Sequence, residues 1–384
     1  MLADKTSRYL TKPKTPSFFY LTMANRRNQN SNSRCPPARK KFHLIKFGTI
    51  NVTTASDDAR VTEHARITCL ANLSVAALQE TKRRGQGSKL VFVQDRDGKQ
   101  VIYEFHWRGY KKSPAKDESL AGVGFLIRKD PTIIVEDIDF DSSNPRLLTA
   151  TIVVRGTRYF FINNYFYPEQ ANRPTGLSSD EWAKKKELHS RKKDRQYASL
   201  RKTIKSRPNK SRLIVLGDFN ATSSAASTFT RLRGQSIISD KHTSNDNGGR
   251  LLDLVIQYDL SVMNSFWNQP RKNMLTWHSN NGRDKKTVDY FLCDGLLASW
   301  CTNCRVRNSY KFLTDHRLLV LTVKQPATKP DRLHHKPKKP KENPFKGRNV
   351  KDLRNHPEFP IKVSQIMSDP NNPIPTNLET NATT

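Results

Sequence analysis

Acidic residues are scarce in this chain. Only 35 Asp and Glu stand against 67 Lys and Arg in 384 residues, a formal charge of +32. A field of that sign argues against simple metabolism and draws polyanions, nucleic acid first among them. Cysteine is nearly missing as well. The five residues Cys35, Cys69, Cys293, Cys301 and Cys304 are scattered and odd in number, which speaks against a disulfide framework and for a reducing compartment. Cys301 and Cys304 form a CxxC, but no second pair at finger-like spacing follows to complete a four-ligand zinc site. No apolar run approaches the roughly 18 residues that span a bilayer, so no membrane insertion is expected. A GxxxxGK phosphate loop and internal repeats are also missing. The hydrophobic share of 35% is thin for a chain packed throughout, so part of it is expected to stay unpacked.

The rest divides by texture into three. Residues 1–41 hold one acid, Asp4, against ten basic residues broken up by Pro, Ser and Asn, the composition of a disordered arm. The apolar patch SFFYLTM at 17–23 is too brief for a secretory signal, whereas ARKK at 38–41 suits a nuclear or nucleic-acid-binding arm, with a mitochondrial transit peptide as the alternative. Ten of the 21 prolines lie beyond Lys324, so 325–384 reads as a Pro-rich, basic, disordered tail. Residues 42–324 are left as one folded domain.

Inside that domain short apolar runs recur at strand length: HLIKFGTINV at 43–52, SVAALQE at 74–80, then 89–93, 100–106, 123–128, 132–138, 147–154 and 158–166. A helix-length segment with Val61, Ile67, Leu70 and Leu73 near one face separates the first two. Residues 179–206 are strongly helical, with Asp180 and Glu181 at the start and Lys and Arg through the rest complementing the helix dipole. Trp182, Leu188, Tyr197, Leu200 and Ile204 supply its apolar stripe. GGRLLDLVIQYDL at 248–260 reads as a further helix, and SVMNS at 261–265, TWH at 276–278, TVDYFLC at 287–293 and TDHRLLVLTV at 314–323 as strands. Many short strands among few helices imply an α/β domain of mixed sheets.

The stretch SRLIVLGDFNAT at 211–222 changes character in its middle. Leu213 to Leu216 make a buried strand, Gly217 lets the chain turn, and Asp218 and Asn220 follow at i and i+2, the spacing that puts two side chains on one side of an extended backbone. A carboxylate only accepts hydrogen bonds whereas an amide donates and accepts, a pair suited to orienting a water beside a phosphate oxygen. Other strand ends carry polar residues too: Asn51, Glu80, Asp289 within TVDYFLC, and Asp315 with His316 opening the last strand. Taken singly each is as readily a cap or a turn residue. Jointly they suggest one site.

In chain order, TINV at 49–52, LQET at 78–81, GDFNA at 217–221, VDYFL at 288–292 and TDHRLL at 314–319 resemble the motifs of the endonuclease/exonuclease/phosphatase superfamily. GVGFLI at 122–127, NGGRLLDLVIQYDLSVMNS at 247–265 and LTWHS at 275–279 look like its non-LTR retrotransposon endonuclease branch and the craniofacial development protein 2-like sequences. The resemblance covers roughly 42–324. The repair branch carries a Trp three residues before the Asp of VDYF; Lys286 stands there instead, which makes a dedicated abasic-site enzyme the weaker expectation. No reverse transcriptase pattern follows Lys324, so the chain reads as an isolated endonuclease domain with tails.

The resemblance implies a four-layered α/β/β/α sandwich of two mixed β-sheets flanked by helices. It implies a Mg2+-dependent phosphodiesterase, with Mn2+ as a substitute, that nicks DNA to leave 3'-hydroxyl and 5'-phosphate ends. DNA is the expected partner and RNA a second one, with no membrane and a monomer as the expected state. Residue by residue, Glu80 is the first metal ligand, Asn51 lies beside it, and Asp315 contributes to the same or a second position. Asp218 orients and deprotonates the attacking water, and Asn220 holds that water and a phosphate oxygen. His316 donates to a non-bridging oxygen while Asp289 holds its ring and keeps it protonated, and Thr276 adds a hydroxyl to the phosphate. The family places a Tyr two residues before a Pro. In NNYFYP at 163–168 that place is Phe166, and Tyr165 takes the role if the chain has slipped by one. Two other readings are a phosphatase or phosphodiesterase of the same fold acting on another phosphoester, and a catalytically relaxed nucleic-acid-binding protein.

Overall fold

The computed structural model describes residues 41–110, 121–140, 144–170, 173–222, 244–267, 269–310 and 312–327. Nearly all of the expected arm and of the expected tail lie outside the described residues.

Fifteen strands form among the described residues because β-branched and aromatic runs alternate with turns, and thirteen of them sort into two sheets. The first sheet runs β14 (Cys301–Val306), β15 (Leu319–Pro326), β1 (Phe42–Asn51), β2 (Val75–Gln79), β5 (Val123–Arg128), β4 (Gln100–Arg108), β3 (Gln86–Gln94). The second runs β10 (Leu260–Val262), β13 (Asp289–Asp294), β9 (Arg212–Asp218), β8 (Thr157–Tyr165), β7 (Leu147–Val154), β6 (Ile133–Asp139). A two-stranded ribbon, β11 (Trp277–His278) with β12 (Lys285–Lys286), stands apart from both.

The sheets face each other across a core that includes Phe47, Phe125, Phe161, Leu216 and Phe291. Helix α1 (Asp58–Leu70) covers the outside of the first sheet, packing Val61 and Ala65 against Ile50 and Leu78. Helices α2 (Ser179–Lys205) and α3 (Asp246–Gln257) cover the outside of the second through Tyr197, Leu200, Leu251 and Leu254. The layers are therefore α/β/β/α, as the motifs implied. Helix α2 starts at a capping box in which Ser178 Oγ accepts from Glu181 N (3.2 Å) and Glu181 Oε2 accepts from Ser178 N (2.9 Å).

Three expectations need correction. Leu188 is not part of the α2 stripe and is 56% exposed; the buried face instead includes Lys193, neutralised by Glu169 (2.8 Å) and Asp246 (3.2 Å). SVMNS is a strand only to Val262, and a 3-10 turn over Met263–Ser265 follows. The last strand starts at Leu319, not Thr314, because Thr314 Oγ1 accepts the His316 N–H (3.2 Å) and holds the segment in a local turn. It then runs two residues past Lys324 to Pro326, which pairs opposite Phe42.

Each sheet contains a single parallel pair, β1 with β2 and β8 with β9. A buried polar bridge fixes how the two pairs face each other. Gln79 Nε2 donates to Asn163 Oδ1 across the sheets (2.8 Å) and to Thr49 Oγ1 (3.0 Å), while Asn163 Nδ2 donates to Leu78 O (3.0 Å) and Gly124 O (2.8 Å). Gln79 immediately precedes Glu80, and Asn163 lies two residues before Tyr165 on the same face of β8. The bridge thus sets the register that brings Glu80 and Tyr165 together.

Candidate active site

The C-terminal ends of both parallel pairs and the N-terminal end of β13 converge. Asn51 ends β1, Glu80 follows β2, Tyr165 ends β8, Asp218 ends β9 and Asp289 opens β13. Cross-strand pairing sets Asp218 opposite both Asp289 and Tyr165. Gly217 is required where β9 passes β8: its φ is +134°, and a Cβ there would come within 2.0 Å of Asn164 O. Glu80 and Asn220 both take left-handed backbone conformations, φ +54° and +48°. For non-glycine residues these cost of order 1 kcal/mol or more and persist only where the surroundings fix them.

Asn51 is the hub. Its Nδ2 donates to Glu80 Oε2 and to Asp218 Oδ2, both at 3.1 Å, and its Oδ1 accepts from Thr53 N at 2.9 Å. Tyr165 OH donates to the same Glu80 oxygen at 3.0 Å. Burial, with the Glu80 and Asp218 carboxylates adding to it, pushes the Tyr165 phenol well above its usual range, so it stays a neutral donor. Phe166 is fully buried on the opposite face, stacked on Phe219 and tilted against Tyr197. Tyr165, not Phe166, reaches the site.

His316 lies between two carboxylates. Its Nδ1 bonds Asp289 Oδ2 at 3.0 Å, and its Nε2 stands 3.8 Å from Asp218 Oδ2, too far for a hydrogen bond, which leaves that N–H uncommitted. Burial acts most strongly on the ring and disfavours its charge. The Asp289 carboxylate, by charge and hydrogen bond, then Asp218 and Asp315, outweigh it and raise the imidazole to about 9. Asp218 moves the other way from an ordinary acid. Burial first and the Asp289 charge second push it up to about 7, against the opposing pull of His316, Asn51 and the Asn220 N–H. The Asp218, Asp289 and His316 ligand atoms lie within 4.8 Å of one another. An imidazole set between two carboxylates is an arrangement suited to moving protons.

The donor set for a divalent cation is on the other side. Glu80 keeps part of its carboxylate open, with the Asp218 carboxylate near it across the Asn51 Nδ2, and carboxylate oxygens are the hard donors magnesium takes. Lys82 Nζ already rests on Glu80 Oε1 at 3.0 Å, a positive charge on the oxygen a metal would use. These residues fit a hard cation. Asp315 has hydrogen-bond partners of its own. Its Oδ2 accepts from Trp277 Nε1 at 2.7 Å and its Oδ1 from Thr314 Oγ1 at 3.3 Å. Thr276 is fully buried, and its Oγ1 accepts from Val288 N (3.0 Å) and Asp289 N (3.1 Å). It positions Asp289 and is not exposed to a phosphate. Asn220 Nδ2 donates to Phe166 O at 2.9 Å while its own N–H bonds Asp218 Oδ1 at 2.8 Å, so it fixes the Asp218 carboxylate directly.

Three neighbours were not singled out from sequence. Lys82 was findable, since it follows Glu80 at the same i, i+2 spacing that marked Asp218 and Asn220. Thr314 links Asn51 O (2.9 Å) to Thr53 Oγ1 (2.8 Å) and carried no signal beyond its place in TDHR. Arg146 is sandwiched 4.6 Å from the Tyr165 ring and 4.2 Å from that of Tyr167, a stack that no local pattern announces.

Residues 56–316 match the model of the Endonuclease/Exonuclease/phosphatase family. Craniofacial development protein 2 of Tragulus javanicus is 27% identical over 128 residues, which is 33% of this chain and 21% of that protein. The chain thus matches about a fifth of the length of that curated relative. Among solved structures, the endonuclease domain of TRAS1, a telomere-specific non-LTR retrotransposon, is 14% identical, covering 74% of this chain and 99% of that one with a TM-score of 0.45. A 3'-5' exonuclease from Neisseria meningitidis is 18% identical, covering 73% and 100% with a TM-score of 0.47.

Proposed function

Because the chain belongs to the Endonuclease/Exonuclease/phosphatase family, we propose that it is a metal-dependent phosphodiesterase that nicks DNA, leaving 3'-hydroxyl and 5'-phosphate ends. The observation that carries this is the His316 ring held between Asp289 and Asp218, with one carboxylate brought near neutrality and the imidazole kept charged. A carboxylate brought into the neutral range can take a proton, and an imidazole that stays charged above it can give one, the pairing a base and an acid need. The overall charge of +32 favours a polyanionic substrate over a small phosphoester, and with the basic arm it supports a nuclear location.

Asp218 takes the proton of the attacking water, with its carboxylate fixed by the Asn220 N–H and Asn51 Nδ2. His316 donates Nε2–H to a non-bridging phosphoryl oxygen, and Asp289 fixes its tautomer through Nδ1. Glu80, steadied by Asn51 Nδ2, would hold a magnesium ion, whose role when bound is to offset the charge that grows on the phosphoryl and leaving oxygens. Tyr165 holds the Glu80 carboxylate in place.

The test is incubation of purified protein with supercoiled plasmid, with and without magnesium. Relaxed circles that form only with the metal, and whose nick is sealed by ligase without end repair, support the proposal. Intact plasmid at any magnesium or manganese concentration overturns it.

A further inference from the structure

A second group of charges lies apart from the catalytic one and contains no acid. Strand pairing puts Lys46 level with Thr322 and Asn303, and Arg305 level with Val320 and Gly48, so Lys46 and Arg305 share the outer face of the first sheet. Beside them Lys272, Asn273, Arg305, Arg307, Asn308 and Ser309 line a depression of about 310 Å³. Among the described residues no ion pair reaches Lys46, Lys272, Arg305 or Arg307. Burial first, then Arg307, Arg305 and Arg96, lowers the proton affinity of Lys46, and burial with Arg305 lowers that of Arg307. Arg305 Nε is buried with no hydrogen-bond partner. Half-buried like charges with an unmet donor are costly unless an anion completes them.

This depression flanks the segment that delivers His316. Arg307 N donates to Leu318 O at 2.8 Å, two residues beyond His316, and Asn308 Nδ2 donates to Lys272 O at 3.0 Å. The 3-10 turn Arg271–Asn273 leads on to Trp277, whose backbone bridges His316. We propose that this pocket receives a backbone phosphate of the DNA, next to the phosphodiester held at Asp218 and His316. Guanidinium forks with Asn and Ser donors suit phosphate oxygens, and a contact to phosphate sets position rather than sequence preference. The inference rests on the nuclease reading above.

The test compares wild type with the Arg305→Gln/Arg307→Gln double variant in the full chain, on a long duplex and on one trimmed to the cleaved step. For the long duplex, the slope of log affinity against log salt should shrink by about 0.9 for each phosphate that is no longer neutralised. Nicking at saturating DNA should be unchanged, and the trimmed duplex should bind both proteins alike. Melting temperature without DNA should hold or rise as repulsion is relieved. If the double variant melts early, Lys272→Gln on the exposed turn carries the test, with the slope smaller by about 0.9. Equal slopes for a wild type that nicks and for these variants overturn the pocket alone. A wild type that neither binds nor nicks DNA overturns the nuclease reading and the pocket with it.

Discussion

The two halves of the site keep very different amounts of water. Asp218 and Asp289 are at most 1% exposed and His316 only 7%, whereas the Glu80 and Lys82 side chains retain 17% and 27%. Both halves are built in the same way, from residues at the ends of strands beside a parallel pair. What separates them is the burial of Asp218, Asp289 and His316. Burial there shifts Asp218 and His316 off their ordinary values, because excluding water magnifies each neighbouring charge. The closed half is suited to moving protons. The open half, where an ammonium already rests on a carboxylate, is suited to exchanging cations.

The largest effect is expected where the closed half is broken. Asp218→Asn should lower single-turnover nicking by roughly 10³- to 10⁴-fold, the upper range for a general base, with the magnesium concentration for half-maximal rate little changed. Glu80→Gln acts on the open half and should do the reverse in kind. A loss of roughly 10²- to 10³-fold is expected, the scale of removing a key electrostatic contact, with DNA binding nearly intact and a raised magnesium requirement. A Glu80 variant that nicks at the wild-type rate with an unchanged magnesium requirement would remove Glu80 from the metal site.

A pH profile sharpens the contrast. With Asp218 as the proposed base and His316 as the proposed donor, the rate should climb through about 7 and fall through about 9. The Asp289 charge raises both values. Asp289→Asn should therefore carry both limbs to lower pH together, with a loss of roughly 10- to 100-fold at the wild-type optimum. His316→Ala should cost more, since it removes the donor itself, and the double variant should be scarcely worse than His316→Ala. Losses that multiply in full would show that Asp289 and His316 act independently.

What was legible in the chain was chemistry at strand ends. Asn51, Glu80, Asp218, Asp289 and His316 all interrupt apolar runs with groups a buried strand does not need, and all five meet. The placement of Asp315 and Thr276 was not legible, because it depends on partners brought by the chain's return, Trp277 Nε1 for the one and the Asp289 N–H for the other. The basic pocket was hidden for a similar reason. Lys46 and Arg305 come from opposite ends of the domain and meet only through the pairing of β1 and β14 with β15.

The choice between Tyr165 and Phe166 was open for a subtler reason. Strand β8 is buried on both faces, with Tyr159, Phe161 and Asn163 toward the other sheet and Phe160 and Ile162 toward the helices, so hydrophobic alternation names no inner face. The smallest predicted effect tests the outcome. Tyr165→Phe removes one neutral donor from a carboxylate that keeps Asn51 and Lys82, and a loss of roughly 10-fold in nicking is expected, the worth of one hydrogen bond to a charged group. Folding should be little affected, because the ring remains. Phe166→Tyr should do the opposite. It would force a hydroxyl into the packed contact with Tyr197 and Phe219, costing about 1–3 kcal/mol of stability and leaving nicking per folded molecule unchanged. Rates and melting temperatures of the two variants, measured side by side, separate the roles. If Phe166→Tyr raised activity, or rescued Tyr165→Phe, the tyrosine of the site would belong at 166 and the pairing of Tyr165 with Asp218 would be the wrong register.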